Sequence, residues 1–158
     1  MAAVNENSTQ YANVIADPIV MNEQNVVGRP VRYVFEATRA VQGDAGSLTK
    51  LLKLPAGKLR IIGGWLKNSA LGSSRTLSLG NAAYVNKAGT AVVAAAASIL
   101  AAYDASGAVD AYKVFGDADT MGVDFETRDG LVVEATVAGG THDAGETLVG
   151  WIDVMHIG

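Results

Sequence analysis

Five carboxylates lie close together at Asp117, Asp119, Asp124, Glu126 and Asp129, and they are the residues best spaced to do chemistry. Calcium takes several oxygens from closely spaced Asp side chains and backbone carbonyls, and Asp117-Ala118-Asp119 supplies a D-x-D start. Met121 occupies the next alternate position, however, and the glycine and terminal glutamate of an EF-hand loop are missing. The stretch therefore reads as a solvated acidic loop. Two carboxylates could also serve glycoside hydrolysis, but only their separation in space decides that. Aromatic residues make up 6% of the chain, too few for a sugar platform, and Trp65 and Trp151 both sit in strands expected in the core.

The other reactive residues are sparse. His142, beside Asp143 in a Gly-rich loop, reads as solvated, and His156 reads as a terminal residue at an interface or the solvent edge. A metal site or catalytic triad needs further placed groups around each of them. Ser73-Ser74 lacks the G-x-S-x-G elbow. Gly63-Gly64 lacks the phosphate-loop pattern and a following helix. Arg128-Asp129-Gly130 is a turn, not an Arg-Gly-Asp motif. With no cysteine, thiolate chemistry and disulfides are excluded. No catalytic, cofactor-binding or metal-ligating residue is expected, and the chain reads as a protein that is not an enzyme.

Composition narrows the partners. With 12 basic and 16 acidic side chains, the net charge of −4 argues against nucleic acid. The longest apolar run, Ala91 to Ala102, is mostly alanine and too short to cross a bilayer, so no membrane partner is expected. The N-terminus is polar, without a signal-peptide pattern, which suits a soluble protein made in the cytoplasm. A hydrophobic content of 49% with 18 Gly and 3 Pro suits a folded domain with many tight turns.

The elements that must carry these residues are mostly strands. Residues 1–28 are Asn-rich and poor in bulky apolar groups, and read either as a frayed terminus or as an extended N-terminal arm that orders only against a partner, ahead of a β-sandwich domain over 29–158. In RPVRYVFEATRAVQ, Val31, Tyr33, Phe35 and Ala37 alternate with Arg32, Glu36 and Thr38, a strand with one buried face interrupted by Val34. SLTKLLKL fits a helical turn or a strand, and its short length before the LPAG turn favours strand. KLRIIGGWLKNSA places Leu59, Ile61 and Trp65 on one parity, with a bulge expected at Gly63-Gly64. TLSLG is a short strand. Val92 to Ala102 is the one stretch of strong helix propensity and reads as a short helix. AVDAYKVF, Ala108 to Phe115, reads as a strand, and the acidic region holds one short strand more. The chain reads as free of internal repeats.

The last stretch closes the fold. Leu131, Val133, Ala135 and Val137 share one parity, and after the loop TLVGWIDVMHI is apolar on both. Such a strand is covered on both sides, by its own core and by a neighbouring subunit. The two runs read as a long β-hairpin, with Trp151 and Met155 at or near the subunit contact. Seven or eight short strands with one minor helix make an all-β sandwich or barrel.

Three stretches in order carry a resemblance: LPAGKLRIIGGWLKNSALGSSRTLSLGNAAY, the Ala run with Tyr103, Asp104 and Tyr112 after it, and LVVEATVAGGTHDAGETLVGWIDVMHI. Together, from Pro55 on, they cover about 100 residues and resemble the head decoration, or capsid cement, proteins of tailed bacteriophages. The resemblance implies a jelly-roll-like β-sandwich of about eight strands, and a structural virion protein located on the capsid surface. It implies that the protein binds the major capsid protein of an assembled shell, as a homotrimer, with no catalytic residues and no cofactors to carry over. A gripping role for the arm is an expectation of ours, since residues 1–28 do not follow the family pattern. Other readings are a phage tail or tube subunit and a receptor- or carbohydrate-binding β-sandwich.

Overall fold

The computed structural model describes residues 3–8, 11, 28–106 and 123–158, and residues 112–115 as backbone. The strands are β1 (Asn5–Asn7), β2 (Pro30–Thr38), β3 (Leu48–Leu54), β4 (Gly57–Asn68), β5 (Thr76–Asn81), β6 (Tyr84–Val85), β7 (Ala91–Val92), β8 (Ala95–Asp104), β9 (Tyr112–Phe115), β10 (Val123–Thr127), β11 (Leu131–Ala138) and β12 (Thr147–His156). One sheet runs β1-β3-β11-β5-β8 and the other β10-β4-β12-β2, with β9 also on β4. Eight strands have five residues or more, and they pair as a nested set: β2 with β12, β3 with β11, β4 with β10, β5 with β8. A long hairpin folded over on itself gives this order, and it is a jelly roll. The all-β sandwich expected from the sequence is therefore the fold.

Alternation fills the space between the sheets. Phe35 and Ala37, Leu59 and Ile61, Leu131 to Val137 by alternate residues, and Ile152 and Val154 are all buried. The ambiguity of SLTKLLKL has a physical answer. The β3–β11 register shifts at Leu51, because Val133 faces Leu52 and Glu134 faces Lys50. The bulge turns both Leu51 and Leu52 into the core.

Two expectations fail. The helix over Val92 to Ala102 is instead β7 and the edge strand β8. Alanine's helix propensity is a weak prior, and a helix this short is marginal alone. Here Gly80 lets the backbone of Ala95 come close, since a Cβ on it would lie 1.8 Å from the Ala95 carbonyl oxygen. Ile99 and Leu100 then enter the core, and the Ser98 hydroxyl donates to Asn81 Oδ1 at 2.7 Å. The closing hairpin also fails: β11 pairs β3 and β5, whereas β12 pairs β2 and β4 in the other sheet. The loop between them crosses from sheet to sheet.

Of the arm, Asn5–Asn7 lies on the body as a strand parallel to β3. Residues 9, 10 and 12–27 lie outside the described residues, as do Ala108 to Ala111, Asp117 and Asp119.

Candidate assembly surface and the sheet-to-sheet crossings

The outer face of the β2-β12-β4-β10 sheet carries two tryptophans, an exposed valine and two Arg–Asp pairs. Along β12, Leu148, Ile152 and Val154 point inward, while Val149, Trp151 and Met155 lie on the half-buried outer face. Trp65 joins them because of the bulge that the sequence suggested. The β4–β12 register shifts between Asp153 and Val154, opposite Gly63 and Ile61, so one residue of β4 is extra. Before it Leu59 and Ile61 point in; after it Leu66 and Asn68 do, and Trp65 turns out. The core position expected for both tryptophans is thereby corrected.

Val34, Trp151 and Trp65 form a row in register across three strands. The indole rings lie 4.2 Å apart, tilted by 31°, and the Arg32 guanidinium sits 4.5 Å over Trp151. Arg32 also donates two hydrogen bonds to Asp153, at 2.8 and 2.9 Å. Farther along, Arg60 makes the same bidentate contact with Asp124, at 2.7 and 2.9 Å. That contact holds the Asp124 carboxyl below the usual range. Val34 is 59% exposed. An apolar aromatic row framed by pre-ordered Arg–carboxylate forks suits a protein interface, where Trp and Arg dominate binding energy.

Of the acidic run, Asp124, Glu126 and Asp129 are among the described residues. Asp124 is taken by Arg60 and Asp129 by Arg128, the latter at 2.9 Å. Among the described residues, no group of three His, Asp or Glu could hold a metal ion. Ser74 stands in its loop at φ 62°, and its carbonyl oxygen packs where a Cβ on Gly139 would lie.

Both histidines depart from expectation. His142 is fully buried and His156 nearly so. The topology explains His142. The β2–β3 and β11–β12 connections cross between the sheets side by side, and Gly43 and His142 exchange backbone hydrogen bonds of 3.2 and 2.9 Å. Each crossing contains Asp-Ala-Gly, at 44–46 and 143–145, with the glycine at φ 87° and 86°. The Gly46 amide donates to the Val137 carbonyl and the Gly145 amide to that of Arg39, each at 2.8 Å. The two loops are thus related by a local twofold. This short repeat, D-A-G twice, was the signal in the sequence, and reading the chain as free of repeats overlooked it.

Arg39, His142 and Glu146 fill the space between the crossings. Arg39 Nη1 lies 2.9 Å from His142 Nε2, so the neutral ring accepts there and carries its proton on Nδ1. Glu146 Oε2 stands 3.8 Å from Arg39 Nε and 3.9 Å from His142 Nδ1. Burial, helped by the Arg39 cation, holds His142 below the ordinary imidazole value, and burial raises the Glu146 carboxyl. Buried away from water, this cluster holds the two loops together and offers no reacting group to solvent.

No protein-family profile and no curated relative matches the sequence. Solved structures do match. A chain in the capsid of Ralstonia phage GP4 superposes with a TM-score of 0.71 at 17% identity, over 97% of this chain and 98% of that one. The fold is shared with a phage capsid chain. A chain of the cyanophage Pam1 capsid asymmetric unit superposes with a TM-score of 0.57 at 13% identity, over 89% of this chain and 94% of that one.

Proposed function

We propose that this chain is a structural virion protein that binds the outer surface of an assembled phage capsid and stabilises it, acting as a trimer and without catalysis. The observation that carries the reading is the end-to-end match in both directions with a chain of a phage capsid, 97% and 98%, which makes the two proteins alike in size as well as fold. The outward Val34–Trp151–Trp65 row supports a self-contact that includes Trp151 and Met155. Binding the assembled lattice but not free subunits adds stability to the shell by mass action, and threefold repetition adds avidity without new kinds of contact.

The deciding experiment adds purified protein to undecorated capsids and counts bound copies per shell. Saturable binding in multiples of three, with shells that withstand higher temperature, is the expected result. Proteins that ignore preformed shells and assemble into rings or tubes under the electron microscope would replace this reading with that of a tail or tube subunit.

A further inference from the structure

The N-terminal strand joins the body at the free edge of β3. Among the described pairings, β1 on β3 is the parallel one, and all others are antiparallel. A parallel neighbour cannot arrive through a tight turn and needs a long connection. Its seat is well built. The Leu48 amide donates to the Val4 carbonyl at 3.1 Å, and the Ser8 amide to that of Lys50 at 2.6 Å. The Val4 amide donates to Ser47 Oγ at 3.1 Å, and the fully buried Ser8 hydroxyl donates to the Leu51 carbonyl. Glu6 accepts from the Ala40 and Val41 amides at 2.9 and 3.1 Å. The Tyr11 ring lies 5.4 Å under the Lys50 ammonium.

Every group in that seat belongs to the body, so any copy presents it equally to any N-terminus. Between Tyr11 and Gly28 run residues 12–27. Sixteen residues reach at most about 55 Å, well beyond the roughly 15 Å radius of gyration of a domain this long. A connection of that length lets the strand reach the β3 edge of its own body or that of a second copy.

We propose that β1 is a donor strand: in the assembled oligomer, the β3 edge of one copy is filled by Val4–Ser8 of a second copy. This rests on the oligomeric reading above. Exchange leaves the strand's own contacts unchanged and converts them into contacts between subunits, so a ring of copies is fastened without any new surface.

The chain has no cysteine, which makes the test direct. The register sets Asn7 beside Lys50 and Asn5 beside Leu48, the spacing of a disulfide. Asn7→Cys and Lys50→Cys are made singly, mixed, unfolded and refolded together, then oxidised; Asn5→Cys with Leu48→Cys is the second pair, in case one perturbs folding. Light scattering reports the oligomer in parallel. A cross-linked heterodimer on a non-reducing gel, approaching the half of the material that random mixing of the two variants allows, is expected. An intact oligomer with no heterodimer from either mixture, while the double variant closes a disulfide within one chain, overturns the exchange and leaves the trimer standing. A monomer by light scattering removes both.

Discussion

At the scale of the residue, two kinds of arginine behave differently. Arg39 and Glu146 are buried at a crossing, whereas Arg60 and Asp124 are paired in the open. Removing one partner of a buried pair strands the other charge and costs about 3–5 kcal/mol, while an exposed pair, screened by solvent, contributes far less. Arg39→Ala is therefore expected to lower the urea midpoint far more than Arg60→Ala. Equal effects would mean that Arg39 is solvated. The histidines set the response to acid. Burial lowers both His142 and His156 from 6.5, so the unfolded chain takes up protons first as pH falls. Stability is then full above about pH 6.5 and declines below it. Glu134 and Glu146, raised from 4.5 by burial, act in the opposite sense and favour the folded chain at low pH. His142→Gln should flatten the decline between pH 6.5 and about 5 in a series of urea titrations. An unchanged slope would show that His142 does not carry it.

At the scale of the element, the paired crossings make a symmetric prediction. Gly46 and Gly145 hold left-handed backbone with open space where a Cβ would stand. Gly46→Ala and Gly145→Ala should each cost about 1–2 kcal/mol, the strain of that backbone for an L-residue, and the two losses should agree within about 0.5 kcal/mol. A large difference in their thermal midpoints would break the local twofold as an energetic description. Strands were the most legible part of the sequence. The alternation of Leu131 to Val137 named four buried side chains, and that of Val31 to Ala37 named two buried (Phe35, Ala37) and two half-buried (Val31, Tyr33), because a sheet with one face in the core forces that period. Legibility ended wherever one residue was added. The β4 bulge reversed the parity of Trp65, and the β3 bulge disguised a strand as a helical turn. The Ala-rich stretch misled for another reason: local propensity favours a helix, but the edge of β5 was there to be paired.

At the scale of the whole molecule, the outer face of the β2-β12-β4-β10 sheet is where function should be lost without loss of fold. Trp151 contributes its ring to Trp65 and Arg32 on that face and not to the core. Trp151→Ala should leave the circular dichroism of the strands intact and weaken self-association or shell binding by about 30-fold, as truncating an interface anchor does. Binding counts per capsid and light scattering would measure it. Retained affinity with a collapsed thermal midpoint would make Trp151 a stability residue instead.

By itself, the sequence determined that the chain folds into sheets, that alternate apolar residues meet between them, and that no familiar catalytic pattern is present. These follow from short-range periodicity and residue chemistry, which a single strand already contains. Which strand lies beside which was left to the tertiary structure. It sent β11 and β12 to opposite sheets, buried His142 where two crossings meet, and brought Trp65 to Trp151 and Asp124 to Arg60. Those outcomes depend on pairings between residues far apart in the chain, where a one-residue bulge changes the face every later side chain shows.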